Sequence, residues 1–272
     1  MVCTNCGREL GEGVRFCPAC GTAAAQVAAV VPPPPPVAIA STPPVLLPTQ
    51  LEEGVAPGLR YRIDGELVPV LHISLDGSVG VYFEHHVILW KNPAMAIGMH
   101  PLAGGFKRMM AGMPIFMTET QSAGEVAFSR DDPGHVLPLH LLPGQGVLVR
   151  EHQFLAATNS IDYSFTRVKG VTNMLFGGTG FFIDHFKAKA LEGVVWLHGY
   201  GNVFEKMLAP GEAIDVESGA WVYRDESVDM QQTMYGLKTG MFGGSGNLIF
   251  NRFTGPGRVG IQSAYVHMPT EN

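Results

Sequence analysis

Four cysteines carry the clearest chemistry in the chain. Cys3, Cys6, Cys17 and Cys20 form two Cys-x-x-Cys-Gly knuckles separated by ten residues. A Cys-x-x-Cys turn aims both thiolates at one centre, and the glycine that follows, Gly7 or Gly21, permits the positive-φ backbone that turns amides toward sulfur. Four thiolates within tetrahedral reach select zinc over the hard cations. With every position taken by sulfur, no site stays open for water, so the ion is structural. A redox dithiol is disfavoured because the motif is doubled and lacks a βαβ context. The spacing predicts one structural Zn2+ held by Cys3, Cys6, Cys17 and Cys20 in a ribbon over residues 1–22.

The other polar residues give no assembled catalytic group. Ten histidines are scattered, His85-His86 is their one adjacent pair, and no His-Glu-x-x-His occurs. Glu84-His85 recurs as Glu151-His152 and is replaced by Ser218-Gly219, the pattern of a turn-adjacent polar pair rather than a catalytic dyad. His135 and His140 flank Val136-Leu137-Pro138-Leu139 and meet a metal only if the fold brings them together. Phe176-Gly177-Gly178-Thr179-Gly180 and Phe242-Gly243-Gly244-Ser245-Gly246 lack the Lys-Ser/Thr of a phosphate loop, and Asn247 leaves the second without a nucleophile elbow. Both read as hairpin turns. Lys107-Arg108, Lys187/Lys189 and Arg252/Arg258 make small basic spots of the kind found on solvated strand edges. No catalytic, cofactor-binding or small-molecule residue is predicted.

The elements that must position these groups follow from composition. The chain has 272 residues, 18 Lys+Arg against 24 Asp+Glu, and a net charge of −6, which argues against coating nucleic acid. Charged residues are 15% and apolar residues 46%, enough to bury a sizeable core, and 34 glycines point to many turns between short strands. No run of 18 apolar residues occurs; Ala23 to Ala40 is cut by Pro32 to Pro36 and cannot span a membrane as a helix. The start lacks the pattern of a signal peptide, and no cysteine follows Cys20, so a reducing, cytoplasmic address is expected. Residues 23–58 read as a flexible Pro/Ala-rich linker.

Residues 59–272 repeat internally. Asp76-Gly77, Pro143-Gly144 and Pro210-Gly211 recur every 67 residues, followed by alternating apolar pairs Gly80/Tyr82, Val147/Val149 and Ile214/Val216. The clusters Val87-Ile88-Leu89, Phe154-Leu155-Ala156 and Trp221-Val222-Tyr223 come next. Met110-Ala111-Gly112, Phe176-Gly177-Gly178 and Phe242-Gly243-Gly244 recur every 66 residues, and Gly124/Val126, Gly193/Val195 and Gly257/Val259 close each copy. Period-2 alternation with Gly and Pro-Gly punctuation makes each copy a set of short antiparallel strands. The stretch His185 to Ala190 has helical propensity, but its place between landmarks predicts a strand. The repeats are set at about 71–141, 142–208 and 209–268. Units this small are expected to share a core in one pseudo-threefold, all-β body.

Gly104-Gly105-Phe106-Lys107-Arg108-Met109-Met110-Ala111-Gly112, Gly124-Glu125-Val126, Phe154-Leu155-Ala156-Ala157 and Gly255-Pro256-Gly257-Arg258-Val259-Gly260-Ile261-Gln262 together resemble the altered-inheritance-of-mitochondria protein 24 family over about residues 68–268. The resemblance implies three tandem units similar to the subunit of the tryptophan RNA-binding attenuation protein, a shortened double-stranded β-helix. It supplies no catalytic residues. Eukaryotic members are similar to mitochondrial inner-membrane organisation proteins, a role not carried over to a chain with a ribbon and a Pro-rich spacer. The expected function is a non-enzymatic binding or assembly scaffold that self-associates as a homo-oligomer or docks a protein partner, with the ribbon as a further contact; a membrane surface is a second class of partner. The alternatives are nucleic-acid binding by fold analogy, opposed by the charge, and a histidine-dependent enzyme.

Overall fold

The computed structural model describes residues 2–11, 14–23, 42–47, 51–102, 116–167, 182–235 and 248–264. The chain divides into two compact units, Met1–Thr42 and Pro43–Asn272. The first contains the two knuckles, each closed by an isolated bridge, Val2 to Glu9 and Phe16 to Ala23.

The second unit is antiparallel β throughout its described residues, apart from a 3-10 turn at His85–Val87. After β1 (Val45–Leu46), β2 (Leu51–Ala56) and β3 (Leu59–Asp64), eighteen strands fall into three successive sets of six. The first set is β4 (Val70–Leu75), β5 (Val81–Phe83), β6 (Ile88–Lys91), β7 (Gly98–Pro101), β8 (Phe116–Thr120) and β9 (Gly124–Phe128). The second is β10 (Gly134–Leu141), β11 (Gly146–Arg150), β12 (Phe154–Thr158), β13 (Ile161–Arg167), β14 (Phe182–Ala188) and β15 (Gly193–Tyr200). The third is β16 (Val203–Leu208), β17 (Ala213–Glu217), β18 (Trp221–Asp225), β19 (Asp229–Tyr235), β20 (Leu248–Thr254) and β21 (Gly257–Gln262).

Pairing is the same in each set. The sixth strand lies between the first and third, as β4-β9-β6, β10-β15-β12 and β16-β21-β18, and the fifth lies between the second and fourth, as β5-β8-β7, β11-β14-β13 and β17-β20-β19. Gly124, Gly193 and Gly257 each open a sixth strand opposite Leu75, Leu141 and Leu208. The turns at Gly77, Gly144 and Gly211 need glycine, with φ of 91°, 87° and 78°. A register shift recurs where the third strand meets the sixth, at Ile88/Trp90, Phe154/Ala156 and Trp221/Tyr223.

The sets interlock through their sheets. Sheet I is β2-β3-β4-β9-β6; sheet II joins β10-β15-β12 to β5-β8-β7 of the preceding set; sheet III joins β1-β16-β21-β18 to β11-β14-β13; sheet IV is β17-β20-β19. One apolar core fills the space between sheets I and II, from Leu71, Ile73 and Phe128 to Leu155 and Trp196. A second lies between II and III, from Leu139, Val195 and Leu197 to Val147, Phe186 and Tyr223. A third lies between III and IV, from Trp221 and Val259 to Val216 and Phe253. Position in this series sets strand composition. β3 alternates Leu59, Tyr61 and Ile63 inward with Arg60 and Arg62 outward because only one face of sheet I meets another sheet. β15, covered on both faces, is buried at Gly193–Gly199 and reads as a nearly continuous apolar run.

Four expectations change against this structure. β10 pairs with β15, and β16 with β21, so the second and third sets begin at Gly134 and Val203 instead of at about residues 142 and 209. β1 and β2 lie inside the segment expected to be linker up to residue 58; they are held by backbone pairing to β16 and β3, which local composition does not report. The counterparts of Val147/Val149 and Ile214/Val216 are Val81/Phe83 and not Gly80/Tyr82, since Val81, Val147 and Ile214 face Thr120, Phe186 and Phe253 of their fifth strands. Finally, the counterpart of Phe154-Leu155-Ala156 and Trp221-Val222-Tyr223 is Ile88-Leu89-Trp90 and not Val87-Ile88-Leu89, since Ile88, Phe154 and Trp221 face Phe128, Leu197 and Ile261 at the same place in their sixth strands. His185 to Ala188 is strand, within β14.

Candidate metal centre and polar clusters

The two knuckles have matching geometry. The Gly7 amide donates to Cys3 O at 3.0 Å and the Gly21 amide to Cys17 O at 2.8 Å, with φ of 72° and 71° at the glycines. A Cβ at either glycine would meet nothing within 4 Å, so glycine is required there for backbone conformation and not for space. The four sulfurs lie within 4.8 Å of one another, with Cys3 and Cys20 Sγ 3.6 Å apart and Cys6 and Cys17 Sγ 3.6 Å apart. A disulfide requires about 2.05 Å. Sulfurs about 2.3 Å from a central ion at tetrahedral angles are about 3.8 Å apart. Cys3, Cys17 and Leu10 form the small apolar floor beneath them.

The electrostatics of the cluster ask for a cation. The Thr22 hydroxyl, helped by the Thr22 amide, holds the Cys20 thiol down to about 6. The Ala19 amide lowers Cys17. The Arg8 amide also favours the Cys6 thiolate, but the neighbouring Cys20 and Cys17 sulfurs outweigh it and push that thiol up to about 12. The crowding of sulfurs thus opposes ionisation at Cys6, and a central positive charge would relieve it. The arrangement fits one structural zinc ion, which when bound crosslinks the two knuckles.

In the β-body, the residues singled out by sequence go to different tasks. Glu84 Oε2 accepts Arg130 Nη1 at 3.0 Å and lies 3.4 Å from His86 Nε2. Arg130 also donates to Phe154 O at 3.1 Å, tying the first set to the second. Burial lowers the His86 pKa. At the corresponding turn Glu151 accepts the Phe182 amide at 3.3 Å and His152 takes a left-handed φ of 69°. In the third set Glu217 accepts the Gly219 amide at 2.6 Å. The Glu-His pair is thus not one site repeated. His135 and His140, five residues apart on β10, face opposite sides of the sheet. His135 Nδ1 accepts the Val203 amide at 3.4 Å, and His140 Nε2 lies 2.7 Å from Tyr61 Oη.

The basic spots are paired. Lys187 reaches Glu226 at 3.0 Å, Lys189 pairs with Asp162, Arg252 with Asp215 at 2.7 Å, and Arg258 with Asp225 at 2.9 Å. Lys107-Arg108, Met110-Ala111-Gly112, Phe176 to Gly180 and Phe242 to Gly246 lie outside the described residues.

Two polar arrangements escaped sequence reasoning. Ser164 Oγ lies 3.3 Å from His185 Nδ1, and His185 Nε2 lies 2.6 Å from Glu226 Oε1. Burial alone would raise the Glu226 pKa, but its hydrogen bonds from Lys187 and His185 hold it below the usual range. The order of groups is that of a nucleophile–base–acid relay, set on edge strand β13 with Ser164 exposed. The second is His198, fully buried on β15, with Nε2 3.1 Å from Asp132 O; burial pushes its pKa down to about 4. Cross-strand register assembles the first, the turn ahead of β10 brings the Asp132 carbonyl to His198 in the second, and nothing local in the sequence signals either.

A family profile described as "Mitochondrial biogenesis AIM24" matches residues 61–264, and a zinc-ribbon domain profile matches residues 2–23. Among curated proteins no match is found. Among solved structures, the X-ray crystal structure of protein SPYM3_0169 from Streptococcus pyogenes is similar, with a TM-score of 0.60 and 20% identity over 76% of this chain and 94% of that one. At that identity the likeness speaks for the fold alone. Among the described residues no helix is long and apolar enough to cross a membrane. With a profile match over most of its length on an all-β body, and a four-cysteine ribbon ahead of it, the chain belongs to the AIM24 family.

Proposed function

We propose that the chain is a non-enzymatic assembly scaffold. Its β-body associates with protein surfaces, copies of itself included. Its ribbon, with zinc on Cys3, Cys6, Cys17 and Cys20, is a second contact module. The observation that carries this reading is on β6. Leu89 and Trp90 are 57% and 41% exposed, whereas their counterparts Leu155 and Ala156 on β12, and Val222 and Tyr223 on β18, are all 0% exposed. Large apolar residues left open at a position buried elsewhere in the same fold mark an interaction surface. Cysteine confined to the ribbon fits a reducing cytoplasm.

Nucleic-acid binding finds less support, since Lys187, Arg252 and Arg258 already hold carboxylates. The test is light scattering on the full chain, with RNA and DNA titrations at two salt concentrations. Mass above 29.2 kDa with weak, sequence-blind nucleic-acid binding is expected. A monomer that binds RNA tightly, with affinity falling steeply as salt rises, overturns the scaffold. The Ser164–His185–Glu226 row favours one second reading, a serine hydrolase; labelling by a fluorophosphonate probe that disappears in Ser164→Ala would establish it.

A further inference from the structure

The three sets leave matching loose ends. In sheet II the third strand of one set, β12, pairs antiparallel with the second strand of the preceding set, β5; in sheet III β18 pairs with β11 in the same way. Among the described residues no strand pairs with the outer edge of β6 in sheet I or of β17 in sheet IV. Each is the kind of strand that the other lacks. We infer that β6 of one copy pairs antiparallel with β17 of a second copy, joining sheet I to sheet IV head to tail.

The register follows from the two junctions already made. Ala156 faces Phe83 and Tyr223 faces Val149; Ala157 faces Tyr82 and Arg224 faces Leu148; Thr158 faces Val81 and Asp225 faces Val147. Carried to the open edges through the shared bulge, this places Trp90 opposite Val216, Lys91 opposite Asp215 and Asn92 opposite Ile214. The middle pair has opposite charges, which favours a cross-strand neighbour. The join would also bring the outer face of sheet I, with the exposed Leu89 and Trp90, against the second copy, as sheets I and II cover the counterparts Leu155, Ala156, Val222 and Tyr223. Neither β6 nor β17 contains proline and each carries apolar residues, and the edge charges Lys91 and Asp215 face one another in this register. The interface is heterologous, so it builds a ring if the rotation closes and a filament if it does not. Among the described residues the two edges are not paired within one chain, since β6 ends sheet I and β17 ends sheet IV.

The inference rests on the scaffold reading, and cysteine crosslinking separates the two. Zinc-loaded full chain carrying Lys91→Cys is mixed with chain carrying Asp215→Cys and oxidised, with wild type and each variant alone as controls. A disulfide-linked dimer in the mixture alone, and a ladder of multimers from the double variant, is the expected result. A double variant that crosslinks within one chain without gain of mass overturns the inference. Absence of crosslinks in a protein whose mass is multiple also overturns it and leaves the scaffold standing through another surface. A mass of one chain at all concentrations removes both. Asp215 holds Arg252, so circular dichroism checks the fold; if that variant unfolds, Ala213→Cys, two residues along the same face, takes its place with a short dithiol-reactive linker.

Discussion

Protonation of His198 gives the sharpest quantitative expectation. The ring is fully buried, and burial moves its pKa down to about 4. The Asp132 carbonyl opposes that shift, while Arg130 and His135 add to it. In the unfolded chain a histidine titrates near 6.5. The folded form therefore binds its proton later than the unfolded form. Stability from the neutral ring is fully present above about pH 6.5, is lost as pH falls, and levels off below about pH 4. The loss amounts to about 2 kcal/mol by pH 5 and about 3 kcal/mol by pH 4. Other groups titrate in this window, so the readout is a difference. Urea unfolding of wild type and His198→Gln at pH 7.5, 6, 5 and 4 should give curves that converge as pH falls, wild type losing about 2 kcal/mol more than the variant by pH 5. Parallel profiles over that range would refute the buried neutral ring.

Three further outcomes are expected. Cys17→Ser should release zinc, read by a colorimetric chelator, while near-ultraviolet circular dichroism of the β-body stays unchanged, because metal binding and folding are coupled only within the ribbon. Gly260→Ala should cost about 1–3 kcal/mol in thermal or urea unfolding, since its Cβ would strike the Tyr223 ring, whose hydroxyl is held by Glu205; a neutral result would show that the ring can move aside. Limited proteolysis should cut between residues 24 and 42 and leave a fragment beginning near Pro43, because β1 and β2 are paired into the larger unit; a fragment beginning near residue 59 would show that these strands contribute no protection.

The ribbon was fully legible in the sequence because its information is local: two knuckles, two glycines and a fixed spacing. The strand sets were legible as repeats, since Gly124, Gly193 and Gly257 each mark the same register position. Their boundaries and facing were not. A slip of one residue in matching the repeats reverses which face a side chain meets, and strand alternation puts Tyr82 into the core between sheets II and III while Val81 and Phe83 point into that between I and II. Residues 45–56 looked like tether because prolines surround them; β1 exists only through β16, far along the chain, and β2 through the adjacent β3, itself paired to β4 of the first set. The polar rows were hidden for the same reason: Ser164 meets His185 and Glu226 across strands, at separations of 21 and 62 residues from Ser164.

Native mass spectrometry of the full chain, purified without chelator and under reducing conditions, tests the zinc-bearing scaffold most directly. The account predicts species at multiples of 29.2 kDa, growing with concentration, each carrying one zinc per chain. A single species at the mass of one metal-free chain, at every concentration, would contradict it.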